Sequence, residues 1–390
     1  MDAAVGLVGA EVSTGNFATQ DARCGLCGFS FETLVPRPRA STLRWRDTDQ
    51  CPWYEGPNPL FYAIWICPCC HYAAYREEFG LSPIGKAKDA VNEALAAGAP
   101  FASALAFDGG ERSLFAALTS FQLALTCYEA RKAPPEVLAG LAMRAAWICR
   151  YAEEIRREVG FLAKARDLYI EAFERGARRD ATLDDLSIAY LIGEMLLRTG
   201  RIGEAFQYFR LVVEAKDSST VLAATARERQ GDAMRSQKVR EFLDKVQMFS
   251  PLGDRGLSLL AVHAVEQTFK PGAAIVNRGK PGEAMYVLMS GEVRIFASDE
   301  AEGDPIATLA PGETFGEMAL FTGEPHRELA LAWVAGRGND RIVLLEIRKS
   351  VFRNLVKAVP DVALRVAVAM SRRHARCVDD LSRGETLTVS

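Results

Sequence analysis

Apolar positions along this chain change their spacing twice. Between about residues 20 and 82 they alternate with polar ones in short runs, as in "LRWRDTD" (43–49) and "LFYAIWIC" (60–67), and that period of two predicts small β-structure. From about 84 to 241 the spacing becomes helical. In "IAYLIGEMLLRTGRIGEAFQYFRLVVEA" (188–215), Leu191, Met195 and Leu196 mark one helix face, Gly200 marks a break, and Ala205, Phe209 and Val212 mark the next. The stretch 143–176 has the same layout, with a break expected at Gly160 and Ala165, Tyr169 and Ala172 on the following face.

Paired helices at such an interval read as tetratricopeptide-like repeats, stretched by the insertion "ARRDATLDD" (177–185). An irregular α-bundle is the plainer alternative. Units of this kind serve as scaffold or peptide groove and hold no chemistry of their own. From about Val246 glycines at 272, 279, 282, 291, 303 and 312 punctuate short apolar runs such as "EAMYVLMS" and "EVRIFAS". Evenly spaced strands with such turns predict a sandwich or roll. "RIVLLEI" (341–347) is one more strand, and two helices follow, the second opening at Pro360 and Asp361.

Composition adds exclusions. The chain has 390 residues, 49% hydrophobic and 25% charged, which describes several folded domains. A net charge of -3 argues against a general polyanion binder. No run of 18 apolar residues occurs, so no membrane span is expected. Residues 1–19 lack the basic start and long apolar core of a secretion signal and read as a flexible leader, with a cytoplasmic location for the whole.

Six of the nine cysteines lie between residues 24 and 70, and that clustering points to metal in place of disulfides. Cys24 and Cys27 form one Cys-x-x-Cys turn, Cys67 and Cys70 a second. Four thiolates make the tetrahedral set that structural zinc prefers, and a segment this small needs such a staple. Reduced buried thiols or an iron–sulfur or redox role are the alternatives. Cys69 rivals Cys70, but only Cys70 has the x-x spacing from Cys67. Cys51 reads as packing, and His71 as the left-handed residue closing the second turn, the place Gly28 takes in the first. Arg37, Arg39, Arg44 and Arg46 fall at period two around Trp45, but Glu32, Asp47, Asp49, Glu55, Glu77 and Glu78 balance them. A salt-bridged hairpin is therefore expected and nucleic acid is disfavoured.

The stretch "CGLCGFSF…LRWRDTDQCPWYEGPNPLFYAIWICPCCHYAAYREEF", with Ala146, Trp147 and Arg150 and with Tyr190 to Glu194 downstream, resembles an uncharacterised bacterial family. Its members carry two Cys-x-x-Cys-Gly turns around an "RDTD-x-CP-x-Y" stretch and continue into tetratricopeptide-like helices. His71 departs from the second glycine. The resemblance implies architecture and zinc but no reaction.

From Val246 to about Leu381 the chain resembles the cyclic-nucleotide-binding domain, on Gly272, Gly279, Gly282 and Gly291 and on "PGETFGEMAL" (311–320). The resemblance implies a phosphate cassette in which Gly316, Glu317, Met318 and Ala319 begin a short helix facing the cyclic phosphate. Glu317 would accept a hydrogen bond from the ribose 2′-hydroxyl, or act only as a helix cap. The family's arginine would then pair with phosphate oxygens. Here His326 stands in that place, Arg327 comes one residue late, and Glu328 replaces a small residue. Adjacent side chains of an extended strand face opposite ways, so Arg327 reaches the phosphate only through a bulge.

No nucleophile is set beside a base, the four histidines are scattered, and no phosphate-loop or kinase signature occurs, so an enzyme is not expected. Nine residues after Leu381 are too few for a helix-turn-helix. The expected protein is a multidomain α+β regulatory or signalling protein: leader 1–19, zinc ribbon 20–82, helical repeats 83–241, and a C-terminal β-roll (jelly-roll) with flanking helices over 242–385. Zinc is its structural cofactor, a cyclic nucleotide its possible ligand, and a protein held along the repeats its expected partner. A ligand-free adaptor, with the roll as a protein-interaction or homodimer module, is the alternative, and a nucleic-acid-binding ribbon the weaker one.

Overall fold

The computed structural model describes residues 14–97, 111–175, 184–297, 305–333, 341–365, 367, 368 and 371. The chain divides into two compact units, Met1–Met195 and Leu196–Ser390.

The first unit opens with three antiparallel hairpins. β1 (Phe17–Arg23) pairs with β2 (Ser30–Pro36), β3 (Thr42–Arg46) with β4 (Pro52–Glu55), and β5 (Ile64–Ile66) with β6 (Ala73–Tyr75). β1 takes in Phe17 to Thr19, the last three residues of the stretch expected as leader. The Phe17 ring is buried against Tyr62 at a centroid distance of 5.3 Å, so burial draws the chain into the sheet. β3 is exposed at all five positions, whereas Ile64, Trp65 and Ile66 of β5 are all buried. The alternation foreseen across 60–67 thus becomes a continuous apolar run, as happens where both faces of a strand are covered.

Helices follow: α1 (Lys86–Ala97), α2 (Leu114–Ala130), α3 (Pro135–Tyr151), α4 (Ile155–Glu174) and α5 (Asp185–Arg198). α2 lies against β5 and β6, and α3 packs on both α2 and α4. Ser113 caps α2 by accepting from the N–H of Ala116, and Pro135 opens α3, where its missing N–H costs nothing. Gly160 lies inside α4 and does not mark the expected break. The chain turns instead at Ala152–Glu154, where Glu153 takes φ 54°. Ala165 and Tyr169 of α4 are buried, as their spacing required, and packing of that face carries the helix through the glycine.

The second unit begins with α6 (Ile202–Glu214), α7 (Thr220–Leu243) and α8 (Gly253–His263). Ala205 and Phe209 of α6 are fully buried. Two four-stranded antiparallel sheets then form, in the orders β11-β10-β13-β8 and β12-β9-β14-β7. Their strands are β7 (Val265–Phe269), β8 (Ala274–Val276), β9 (Ala284–Ser290), β10 (Glu292–Phe296), β11 (Ala307–Leu309), β12 (Thr314–Phe315), β13 (Leu329–Trp333) and β14 (Ile342–Arg348). Alternation on β9 and β14 serves two cores. Leu288, Ile342 and Leu344 join Val293, Ile295 and Phe315 in one cluster. Met285, Val287, Leu345 and Ile347 join Leu243 of α7, Leu257 and Leu260 of α8 and Phe352 of α10 (Lys349–Ala358) in the other. Both faces of that sheet are covered, which positions the short helix α9 (Glu317–Thr322) beside β9.

Candidate metal centre and ligand cassette

Each Cys-x-x-Cys pair occupies the turn of a hairpin, and the two turns share one hydrogen-bond plan. In the first, the N–H of Cys24 donates to Phe29 O and that of Gly28 to Cys24 O, both at 2.9 Å; in the second, Cys67 donates to Tyr72 O and His71 to Cys67 O, again at 2.9 Å. Gly28 has φ 76° and His71 φ 62°, so His71 does take the glycine's left-handed place.

The two turns bring four sulfurs together. Cys24, Cys27, Cys67 and Cys70 have Sγ atoms all within 4.8 Å of one another, with Cys24–Cys70 and Cys27–Cys67 each at 3.6 Å. Ligands ~2.3 Å from a tetrahedral ion stand ~3.8 Å apart, so the spacing fits a zinc ion. Four thiolates at this distance need a cation. Without one a proton must be shared, and the hydrogen bond from Cys70 holds Cys24 down at about 5 while the same bond pushes Cys70 up. Burial pushes Cys67 up to about 12. Cys69, on the same turn, is exposed and outside the group, and Cys51 is fully buried with its thiol donating to Tyr151 Oη at 3.8 Å.

A second constellation was not anticipated from the sequence. Arg150 of α3 donates to Asp47 Oδ2 at 2.7 Å, to Asp49 Oδ1 and Oδ2 at 2.9 and 2.6 Å, and through Nε to Glu158 Oε1 at 2.7 Å. Trp147 Nε1 donates to Asp49 Oδ2 at 3.2 Å. Thr48 Oγ1 donates to Glu194 Oε2 at 2.7 Å, and Tyr190 Oη donates to Thr48 O at 2.9 Å. Asp49 and Glu194 are both 0% exposed, a burial that only such pairing permits. The nearby arginines of β3 are engaged as a solvated hairpin would have them, Arg44 with Glu55 and Arg46 with the carbonyl of Gln50.

The cassette begins at Gly316, whose φ of 82° makes it the left-handed N-cap of α9. Glu317 is the first helical residue and not the cap, and it is 1% exposed. Ala319 and Leu320 are buried, whereas Met318 and Phe321 face outward, Phe321 edge-on to Phe352 at 5.2 Å. A Cβ at Gly282 would stand 2.3 Å from Ala319 Cβ, so only glycine lets that turn lie against α9.

The segment after α9 is tied down by its backbone: the N–H of His326 donates to Lys280 O at 2.9 Å, and that of Gly279 to His326 O at 2.8 Å. His326 is half-buried, and burial pushes its imidazole pKa down, toward the neutral form. Arg327 is exposed and pairs with Glu324 at 2.6 Å. The register shift of β13 against β8 falls at Ala330/Leu331, beyond this segment.

Residues 17–233 match the family model described as "Uncharacterized protein conserved in bacteria (DUF2225)", and residues 266–358 match that of the cyclic nucleotide-binding domain. A cGMP-dependent protein kinase of Plasmodium berghei (strain Anka) is 25% identical over 215 residues, 50% of this chain and 24% of that protein. A cAMP-dependent protein kinase regulatory subunit of Yarrowia lipolytica is 30% identical over 120 residues, 31% and 30% of the two chains. The cAMP-activated global transcriptional regulator CRP of Pasteurella multocida is 26% identical over 125 residues, 32% and 57%. The chain thus spans from a quarter to just over half of these relatives. Among solved structures, the guanosine-bound regulatory subunit of a cAMP-independent protein kinase A from Trypanosoma cruzi is 22% identical with a TM-score of 0.32, over 42% of this chain and 56% of that one. The catabolite activator protein of Thermus thermophilus is 27% identical with a TM-score of 0.30, over 35% and 61%.

Proposed function

We propose, for a chain that belongs to the bacterial family DUF2225 and carries a cyclic nucleotide-binding domain, that the protein is a non-enzymatic regulator whose C-terminal roll senses a nucleotide-type ligand. The observation that carries this reading is the cassette from Gly316 to Thr322, held against Gly282 inside the matched span. In this reading Glu317 takes the ribose 2′-hydroxyl and His326 stands where a phosphate-binding arginine is expected. Loss of a charge-assisted contact costs about 1.5–3 kcal/mol, or one to two decades of affinity. A cyclic nucleotide is therefore bound more weakly than by a cassette with its arginine.

In the same reading, Cys24, Cys27, Cys67 and Cys70 hold one structural zinc, which crosslinks two hairpin turns of a ribbon spanning 20–82. The helices of 83–241 form a tetratricopeptide-like scaffold for a protein partner, and the roll occupies 242–385. Among the described residues no helix is long and apolar enough to cross a membrane, and the chemistry assigned here suits the cytoplasm. The pairing of the exposed Arg327 with Glu324 favours a second reading in which the roll is a ligand-free adaptor or dimerisation module.

Two measurements test the proposal. Elemental analysis of gently purified protein should find one zinc per chain, and its absence rejects the ribbon. Melting temperature should rise with at least one of cAMP, cGMP, a cyclic dinucleotide or a plain nucleoside, and no rise with any of them leaves the adaptor.

A further inference from the structure

We infer that Cys27 and Cys69 form an oxidation site at the mouth of the four-cysteine cluster, where a peroxide closes a disulfide between them and expels the zinc. The inference rests on the zinc reading above. Its basis is the asymmetry of the cluster. Cys24 and Cys67 are 2% and 0% exposed, whereas Cys27 reaches the surface. Cys27 Sγ stands 3.6 Å from Cys67 Sγ, and Cys67 begins the turn that carries Cys69. A fifth thiol, the exposed Cys69, is therefore carried on the turn that approaches the exposed ligand. Tetrahedral zinc takes four of the five sulfurs, so Cys69 is surplus to the metal. The described cysteines away from the cluster offer no comparable site. Cys51, Cys127 and Cys149 are all fully buried, and burial pushes their thiols up to about 12, 11 and 12.

The chemistry balances with hydrogen peroxide as the oxidant. Four thiolates around a divalent ion leave the cluster a dianion, so the exposed Cys27 sulfur keeps nucleophilic character. It attacks one peroxide oxygen, the O–O bond breaks, and a Cys27 sulfenic acid and hydroxide result. The Cys69 thiol then attacks the sulfenic sulfur, the new S–S bond forms, and the Cys69 proton leaves with the departing hydroxyl as water. Two electrons pass from two sulfurs to one peroxide. Zinc is left with three ligands and dissociates to any competing chelator. A thiol reductant with added zinc reverses the step.

The test uses the full-length zinc-loaded chain, with zinc content measured before treatment. Hydrogen peroxide is added beside a chromogenic zinc chelator, and disulfides are mapped by non-reducing peptide mass spectrometry. The inference predicts a Cys27–Cys69 linked peptide that appears with zinc release. It also predicts several-fold slower release in Cys69→Ser, whose starting zinc content is unchanged, and recovery after dithiothreitol with zinc. Equal release rates in Cys69→Ser and the parent overturn it, as does a map that joins Cys27 to Cys24, Cys67 or Cys70 instead. A chain with no zinc before treatment rejects the zinc reading and with it the release step. The linked peptide then still decides whether Cys27 and Cys69 are the oxidised pair.

Discussion

Arg150 grips both carboxylate oxygens of Asp49, at 2.9 and 2.6 Å, across 101 positions of sequence. Trp147 holds the same carboxylate, and Thr48, the residue before Asp49, reaches Glu194. Three separated stretches, 46–49, 146–150 and 190–194, therefore meet at one point of the first unit. A loop between two hairpin strands is thereby locked to α3 and α5. Arginine suits this place because its planar fork serves several carboxylates at once.

Replacing Arg150 should show how much that lock stabilises. Its side chain is 11% exposed and its partners Asp49 and Glu158 are 0% and 5% exposed, so Arg150→Met strands buried carboxylates. The expected loss is about 3–5 kcal/mol, read as a lower urea midpoint of the full chain. Arg150→Lys should recover only a minor part, since an ammonium cannot make the paired bonds. A midpoint unchanged by Arg150→Met would mean the network contributes nothing net.

The cassette should be intolerant at Gly282. A methyl there meets Ala319 Cβ at 2.3 Å, backbone-anchored on both sides, so α9 must move. Gly282→Ala should destabilise by about 1–3 kcal/mol and remove any ligand-induced rise in melting temperature. Unaltered ligand response in this variant would show that the position of α9 does not matter to binding.

Ala205 lies 0% exposed on α6. Ala205→Leu should overpack the buried face of α6 and cost about 1–3 kcal/mol, measured by denaturation. A harmless substitution would show that the face has room to relax.

The half-buried His326 sets a pH dependence. Burial depresses the pKa of His326, so the unfolded chain binds its proton more readily than the folded one as pH falls below about 6.5. The stability this residue contributes is therefore complete at neutral pH and lost as pH drops through that value toward the folded pKa. His326→Gln should narrow the difference in urea midpoint between about pH 7.5 and about pH 5.5. A parent and variant with the same pH dependence would show that His326 is not held neutral. A bound phosphate acts the other way by favouring the imidazolium. Binding through His326 should thus strengthen below about pH 6.

Much of this was written locally in the sequence. The x-x spacing of both cysteine pairs selected the four sulfurs that converge, and the need for a left-handed residue identified His71 beside Gly28. Both are properties of a few consecutive residues. The Asp49–Arg150–Glu194 meeting point depends on pairings over 101 and 146 positions, which periodicity does not register. The hint in the sequence was that the RDTD stretch, Trp147 with Arg150, and Tyr190 to Glu194 all belong to the family-like pattern, which says nothing of how they meet. Gly160 misled for the opposite reason. Its weak helix propensity is local, and the buried face of Ala165 and Tyr169 overrides it. The direction of Arg327 was also out of reach, because it depends on an ion pair with Glu324 and not on strand alternation.

The most direct measurement is a calorimetric titration of the full chain with cAMP and with cGMP, run beside the double variant His326→Arg, Arg327→Ala. The account predicts weak binding by the parent and a gain of about one to two decades when the arginine is restored, the worth of one charge-assisted contact. Binding by neither protein would contradict it, and the roll would then be an adaptor that keeps the shape of a receptor without its ligand.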